Sequence, residues 1–333
     1  MSEPLIRTVG LTRHFKVGSF FSRQLLHAVD DVNFTIEPGE IVALVGESGS
    51  GKSTIARLLA RVYEPTSGEI FFEGRPVAGM RSRRERLAYA SEVPMVFQDP
   101  FSSINPAYRV DHGVIRAFKL HRRGVVRGDR QGEVERVFAE VGLTPPASAS
   151  RKFPHELSGG QRQRVGFAQA LAFRPKLIVA DEPVSMLDVS IRIGVLNLMS
   201  ELREREGVSF LYITHDVASA RYIADRVLVM YGGHLVEEGA TEDVLQRPKH
   251  PYTQLLLSAV PDPRAPLGLS DAADVGEPPR VVNPEEGCRF QPRCPLAIAR
   301  CESETPLLRD LGPGRLAACH VAEPDRVGAA VTA

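Results

Sequence analysis

The stretch GESGSGKST, which begins at Gly46, constrains the fold of this 333-residue chain more than any other feature. The apolar run IVALV at 41–45 comes directly before it and predicts a buried strand. The segment after it repeats apolar residues at the spacing of one helical face: Ile55, Leu58, Leu59 and Val62. A glycine-rich loop between a buried strand and a helix is typical of a parallel α/β sheet, in which strands and helices alternate.

The same stretch has the spacing of a phosphate-binding loop. Gly46, Gly51, Lys52 and Ser53 fit the pattern G-x-x-x-x-G-K-[ST], in which glycines let backbone amides close around an anion. The helix that follows adds the positive end of its dipole. We expect Lys52 to reach the β- and γ-phosphates of ATP and the Ser53 hydroxyl to ligate Mg²⁺. The other predicted nucleotide contacts come from the rest of the loop: Glu47, Ser48, Gly49, Ser50 and Thr54.

Alternation of strand and helix returns in the second half of the chain. Apolar runs predict three further strands, at 177–181, 209–214 and 226–231. Residues from about 101 to 172 have mostly helical patterns, which predicts a helical subdomain inserted into the sheet. After Pro261 the composition becomes rich in proline, glycine and aspartate, which indicates a linker. We therefore expect a nucleotide-binding domain over 1–262 and a linker with a C-terminal extension over 263–333.

The strand at 177–181 ends in two acidic residues, in the stretch LIVADEP. An acid at the C-terminal edge of a parallel sheet lies where phosphoryl chemistry takes place. We expect Asp181 to hold Mg²⁺ through water and Glu182 to orient the attacking water as a general base.

The segment LSGGQ at 157–161 leads into a helix and predicts a second anion site at the helix N-terminus. LSGGQ between a phosphate loop and an Asp-Glu strand end resembles the ATP-binding-cassette (ABC) ATPases. The resemblance implies a parallel-sheet core, an antiparallel β subdomain and an inserted helical subdomain. It also implies that ATP lies between the phosphate loop of one subunit and the signature residues of a partner: Leu157, Ser158, Gly159, Gly160 and Gln161.

Other family elements match one by one. Gln98 in FQDP resembles the Q-loop glutamine near the γ-phosphate and Mg²⁺, and His215 in ITHD resembles the switch histidine that contacts the γ-phosphate. The stretch SMLD at 185–188 resembles the D-loop, with Met186 where the family usually has alanine. The ring that stacks on adenine is expected from one of three phenylalanines, of which the first is favoured: Phe15, Phe20 and Phe21.

Longer stretches, among them FPHELSGGQRQR and HPYTQLLLSAVP, are similar to the oligopeptide/dipeptide import ATPases over about residues 5–324. The similarity is closest to the second of the two ATPase subunits that such importers commonly have. It implies a peripheral subunit on the cytoplasmic face of the cell's inner membrane, which energises peptide import by ATP-driven closure with a sister ATPase. The implied partners are two membrane-spanning permeases, one of which docks a short helix near Gln98, and an extracytoplasmic binding protein.

Alternatives stay open at this point. Importers of this kind also carry nickel or oligosaccharides, and the ATPase does not touch the cargo. Soluble ABC ATPases that act in DNA repair, in translation or in cluster assembly are a different class, and the peptide-importer stretches argue against them.

Composition limits the partners and the location. The 41 basic and 41 acidic residues balance, whereas a nucleic-acid binder usually has a basic excess, so we expect no nucleic-acid partner. A basic stretch from Arg109 to Arg130 is expected to be a solvated helix face rather than a site for an anionic partner. The start MSEPLIRTVGL lacks the features of a secretory signal, and no apolar run approaches the roughly 18 residues needed to span a bilayer. We expect a cytosolic chain.

All four cysteines lie in the last fifty residues, at Cys288, Cys294, Cys301 and Cys319. Disulfides are unusual in the cytosol, so the four cysteines favour a metal centre, either a [4Fe–4S] cluster or a Zn²⁺ ion, with reduced structural thiols as the alternative. The extension is short and rich in proline, and such a centre would order it. We expect the phosphate loop to be independent of this extension, because it lies far upstream.

Overall fold

A mixed sheet carries the phosphate loop at the end of one of its middle strands. The computed structural model of the protein describes residues 3–18, 24–99, 104–121, 128–259, 281–312 and 314–323. Its strands, in chain order, are β1 (Ile6–Val17), β2 (Gln24–Val32), β3 (Thr35–Ile36), β4 (Ile41–Val45), β5 (Ser67–Phe72), β6 (Arg75–Pro76), β7 (Met95–Val96), β8 (Leu177–Asp181), β9 (Ser209–Thr214), β10 (Arg226–Tyr231), β11 (His234–Ala240), β12 (Arg309–Gly312) and β13 (Arg315–Ala317).

Helices connect these strands. In chain order they are α1 (Lys52–Leu59), α2 (Arg83–Glu92), α3 (Asp111–His121), α4 (Arg130–Glu140), α5 (Pro146–Ala149), α6 (Gly159–Leu171), α7 (Val189–Glu206), α8 (Val217–Ile223), α9 (Thr241–Gln246), α10 (Pro251–Ser258) and α11 (Arg300–Ser303). Across the described ranges, no helix combines the length and the apolar character that crossing a membrane requires.

The mixed sheet has the strand order β12-β13-β11-β10-β4-β9-β8-β7 in the described residues. The five strands from β10 to β7 pair in parallel, and β11, β13 and β12 continue the sheet in antiparallel fashion. Every residue of β4 and β8 is buried, which agrees with their uninterrupted apolar sequences, because parallel strands are covered on both faces. The predicted parallel α/β core is therefore confirmed.

A second, antiparallel sheet has the order β2-β1-β5-β6, with β3 paired to β1. Alternating residues of these strands face a shared core with the mixed sheet, among them Ile6, Ile36 and Phe72. This sheet is the antiparallel subdomain that the family resemblance implies.

The middle of the chain is helical, as predicted, in α3 to α6. The residues that repeat at helical spacing, Val134, Val137 and Phe138, are fully buried and pack in one core with Val114 and Phe118 of α3. The basic residues of this region that lie in the described ranges are exposed, in agreement with a solvated face: Arg109, Arg116, Lys119 and Arg130.

The sequence prediction fails at the end of α1 and for α2. Val62 is 59% exposed, because α1 already ends at Leu59 and Arg61 adopts the left-handed region with φ 54°. Helix α2 was not predicted, and its start is fixed by reciprocal hydrogen bonds between Ser82 and Glu85.

The C-terminal extension is built onto the mixed sheet. Strand β13 pairs with β11, with Ala317 opposite Glu237, and β12 pairs with β13. The predicted boundary at residue 262 falls in 260–280, which lies outside the described residues.

Candidate functional site

The phosphate loop between β4 and α1 needs glycine at two positions. Gly46 has φ +152° and Gly51 has φ +110°, in the region that favours glycine. A Cβ atom on Gly46 would lie 2.2 Å from the carbonyl oxygen of Met230, and one on Gly51 would lie 2.1 Å from that of Ala28. The loop therefore lies directly against neighbouring backbone, which only glycine permits.

Lys52 is buried at the start of α1, with 4% of its surface exposed. Its Nζ donates to the carbonyl oxygens of Gly46 and Glu47, each at 2.7 Å. Burial lowers the pKa of Lys52, and the nearby carboxylates of Glu182 and Asp181 oppose that shift. Because its present partners are carbonyls, the ammonium group can exchange them for phosphate oxygens, which form stronger, charge-assisted hydrogen bonds.

Ser53 and Asp181 meet although they are 128 positions apart in the chain. Ser53 Oγ donates to Asp181 Oδ1 at 3.0 Å, at the end of β8. Burial raises the pKa of Asp181, and the hydrogen bond from Ser53 opposes this shift. A hydroxyl and a carboxylate side by side offer the hard oxygen ligands that Mg²⁺ prefers.

The side chain of Glu182 lies between Gln98 and His215, the two other residues predicted to act in catalysis. Gln98 Nε2 donates to Glu182 Oε2 at 3.0 Å, and His215 Nδ1 lies 3.3 Å from Glu182 Oε1. The backbone of Glu182 has φ 47°, a conformation that costs energy for a non-glycine residue and often marks a functional position. Its amide donates to the carbonyl oxygen of Ile213 in β9, which fixes this turn to the sheet.

A cleft of about 910 Å³ lies over the phosphate loop, within the size range of small-molecule sites. Its lining includes three side chains predicted for catalysis: Gln98, Glu182 and His215. Phe15 lines the same cleft, makes an edge-on contact with Tyr63 at 5.3 Å between ring centroids, and lies under the guanidinium of Arg13. The two competing candidates, Phe20 and Phe21, lie outside the described residues.

The LSGGQ segment forms the start of α6. Ser158 Oγ accepts from the amide of Gln161 at 3.3 Å, and Gln161 Oε1 accepts from the amide of Ser158 at 3.1 Å. Gly160 packs against Ile191, where a Cβ atom would lie 2.3 Å from a methyl carbon. Among the described residues that line the cleft, none belongs to this segment. The segment and the phosphate loop are therefore separate surfaces of one chain.

The four cysteines lie close together without disulfides: Cys288, Cys294, Cys301 and Cys319. Burial raises the pKa of Cys288 to about 11, and the other three thiols add to this shift. Cys288 donates its amide to the carbonyl oxygen of Cys301 at 2.8 Å, which ties the first cysteine to the third. Within the described ranges, no three of the four sulfur atoms lie within 4.8 Å of one another.

The expectation that the phosphate loop is independent of the extension is wrong. Arg293, one residue before Cys294, donates to both carboxylate oxygens of Glu47 at 2.8 and 3.0 Å. Phe290 of the same segment is 2% exposed and packs against Tyr231 and Tyr252 in the main core. The sequence did not predict this contact because its partners are 246 positions apart. The feature of the sequence that points to it is the pair of arginines, Arg289 and Arg293, between Cys288 and Cys294.

A second contact links the same segment to the antiparallel sheet. Arg289 donates to the carboxylate of Asp30 in β2. The same carboxylate lies 2.5 Å from His14 Nε2 and 2.7 Å from His27 Nδ1, and the two imidazole rings stack. Burial on its own would raise the pKa of Asp30, but hydrogen bonds from Arg289, His14 and His27 outweigh it and lower the pKa.

Comparison with family models matches two regions of the chain. Residues 29–185 match the family described as ABC transporter, and residues 236–301 match the oligopeptide/dipeptide transporter, C-terminal region. The first region contains the phosphate loop, the LSGGQ segment and the acidic strand end, and the second contains three of the four cysteines.

Individual relatives indicate the same family. The chain is 41% identical to the oligopeptide transport ATP-binding protein AppF of Bacillus subtilis, over 96% of this chain and 98% of that protein. It is 42% identical to a "Probable peptide ABC transporter ATP-binding protein y4tS" of Sinorhizobium fredii, over 97% of this chain and 92% of that protein.

Among solved structures, the chain is similar to the dimeric ATP-binding cassette MJ0796 bound to ADP and Pi. The TM-score is 0.61 at 26% identity, over 71% of this chain and 98% of that one. It is also similar to cbiO1 of Clostridium perfringens, with a TM-score of 0.62 at 26% identity over 74% and 92% of the two chains. The chain belongs to the ABC transporter ATPases, in the group that carries the oligopeptide/dipeptide transporter C-terminal region.

Proposed function

We propose that this ATPase energises the import of peptides through a membrane permease. The observation that carries the proposal is the position of Glu182 against Gln98 and His215, beside the phosphate loop and the Ser53–Asp181 pair. The cargo class rests on the two relatives, whose names specify peptide or oligopeptide transport.

The predicted site residues have distinct tasks in hydrolysis. Lys52 binds the β- and γ-phosphates, and Phe15 stacks on the adenine. Glu182 accepts a proton from water as the water oxygen bonds to the γ-phosphorus and the bond to the ADP oxygen breaks. Gln98 and His215 orient the carboxylate and the γ-phosphate. Ser53, Asp181 and Gln98 would hold Mg²⁺, which neutralises charge on the phosphates when bound.

The separation of the LSGGQ segment from the cleft supports a shared site. Ser158 is placed at the exposed start of α6, where its side chain and the helix amides can meet the γ-phosphate of an ATP bound to a second cassette. A sister ATPase subunit supplies that cassette, and ATP closes the pair. Hydrolysis then reopens it, which is a ligand-driven shift between two states.

This chain has a candidate groove for docking the permease. A groove of about 150 Å³ runs between Phe97, next to Gln98, and residues of α6 and the turn that follows it: Gln163, Gln169 and Phe173. Phe97 is 48% exposed there, which suits contact with an apolar helix face. A short helix of the permease binding here would hold the ATPase at the cytoplasmic face of the membrane, and an extracytoplasmic binding protein would deliver the peptide on the other side.

We propose that the four cysteines hold a metal centre. The half-buried thiols of Cys288 and Cys294, whose pKa values are raised by desolvation, remain protonated unless a metal stabilises the thiolates. Four thiolates suit a [4Fe–4S] cluster, with a Zn²⁺ ion as the alternative. Iron, sulfide and zinc analysis of anaerobically purified protein separates the two: about four irons per chain would support the cluster, and one zinc the alternative.

The test is purification of the chain with its membrane partners. We expect two permease subunits and a sister ATPase to come with it, and ATP hydrolysis by the complex to rise when binding protein loaded with peptide is added. A complex with Lys52→Ala in this chain is the control for its own site. If the binding protein holds nickel or an oligosaccharide, that ligand replaces the peptide as the proposed cargo. Recovery of a soluble chain without permeases would contradict the transport role.

A further inference from the structure

The segment between the first two cysteines lies against the phosphate loop. Arg293 Nη1 donates to Glu47 Oε2 at 2.8 Å and Nη2 donates to Glu47 Oε1 at 3.0 Å, so the pair is bidentate. The side chain of Arg293 is 10% exposed and that of Glu47 is 24% exposed. A bidentate pair of this geometry, largely shielded from water, fixes both side chains more firmly than a surface ion pair does.

Glu47 is the second residue of the phosphate loop, and it is held at both ends. Its amide donates to the hydroxyl of Tyr252 at 2.8 Å, and its carboxylate is held by Arg293. The two supports are connected, because Tyr231, Tyr252 and Phe290 pack against one another, and Arg293 also donates to the Tyr231 hydroxyl at 3.3 Å.

The position of Glu47 decides two properties of the phosphate cleft. Its carbonyl oxygen accepts from Lys52 Nζ at 2.7 Å, so the loop backbone at this residue fixes the position of the lysine ammonium group before phosphate binds. Its side chain lines the cleft, where an unpaired carboxylate would repel the negative charge of a triphosphate. Arg293 neutralises that carboxylate.

We propose that Arg293 is a positioning residue of the ATP site, which fixes the phosphate loop through Glu47 and cancels the charge of that carboxylate. The proposal rests on ATP binding at this loop. It makes the segment that carries Cys288 and Cys294 a structural part of the nucleotide site, and it predicts that disturbing this segment weakens ATP binding.

The experiment measures MgATP binding to the full chain by isothermal titration calorimetry. Arg293→Ala is expected to raise the dissociation constant about tenfold, and Arg293→Lys, which keeps the charge without the bidentate geometry, is expected to recover part of this loss. Arg221→Ala is the matched control. It removes another bidentate arginine–glutamate pair, between Arg221 and Glu242. That pair is exposed and does not line the cleft, so the Arg221→Ala variant should bind MgATP with the dissociation constant of the wild type.

Measuring Arg293→Ala in a second variant, Glu47→Gln, separates the positioning role of Arg293 from general damage to the fold. In Glu47→Gln, which has no carboxylate to neutralise, the effect of Arg293→Ala should fall below about threefold, since coupled residues are not additive. In the assembled complex, Arg293→Ala should raise the KM for ATP and leave kcat within about twofold, because the variant weakens the binding of ATP and leaves the chemical step unchanged.

Two results would overturn the proposal: an unchanged dissociation constant in Arg293→Ala, or an equal loss in the Glu47→Gln background. Lys52→Ala is measured beside them. If Lys52→Ala also binds MgATP like the wild type, the assignment of the ATP site fails, whereas loss in Lys52→Ala alone rejects only the role of Arg293.

Discussion

Replacing Glu182 with glutamine removes a general base while keeping the geometry around it. The glutamine carbonyl can still accept from Gln98 Nε2, which now lies 3.0 Å from Glu182 Oε2, and its amide group can face His215, now 3.3 Å from Oε1. The side-chain volume stays the same, so the packing of the turn after β8 need not change. What is lost is the capacity to accept a proton from water.

The expected magnitude follows from that single change. A general base contributes about 10²- to 10⁴-fold, or roughly 3–5 kcal/mol in the activation free energy. Glu182→Gln should therefore bind ATP with a wild-type dissociation constant and lower hydrolysis at this site by that factor. Single-turnover hydrolysis of radiolabelled ATP, with the sister subunit inactivated at its own phosphate loop, measures this site alone. A wild-type rate in that assay would refute the role of Glu182, and loss of ATP binding would show that the geometry was not kept.

Two further predictions concern the partner surface and the extension. Ser158→Arg should keep MgATP binding at the variant's own phosphate loop and reduce turnover of the complex by about 5- to 150-fold, since a large cation in the packed interface costs about 1–3 kcal/mol; wild-type turnover would contradict the shared site. Asp30→Asn should lower the free energy of unfolding by about 2 kcal/mol at pH 7, because hydrogen bonds from Arg289, His14 and His27 to a charged group are lost. The folded-state pKa of Asp30 lies below its unfolded value of about 3.9, so this stabilisation is present above that pH and is lost as the pH falls through the folded-state pKa. Urea unfolding of both proteins should show the difference shrinking below about pH 4, and a difference that stays constant would contradict the ionic origin.

Local patterns predicted the core of the site because each part is encoded in a few consecutive residues. The runs at β4 and β8 are continuously apolar, and the loop glycines and the Asp181–Glu182 pair follow directly at the strand ends. The contact of Ser53 with Asp181 then follows from parallel strands, whose C-terminal ends share one edge.

The contacts of the extension could not be predicted in this way. Strands β12 and β13 are short, with four and three residues, and they are strands because β13 pairs with β11 and β12 pairs with β13. The pair Arg293–Glu47 joins residues with no shared periodicity, and the choice of partner is decided by the tertiary fold. The same holds for His14 and Asp30, which are brought together by the register of β1 on β2.

ATP hydrolysis in this cleft is proposed to drive peptide movement across a membrane. The direct measurement is uptake of a labelled peptide into proteoliposomes that contain the complete complex, with ATP supplied on the side of the ATPase. We expect accumulation against a gradient that requires hydrolysable ATP and is abolished by Glu182→Gln in this chain when the sister site is also inactive. Peptide accumulation that continues unchanged in the Glu182→Gln complex, with the sister site also inactive, would contradict it.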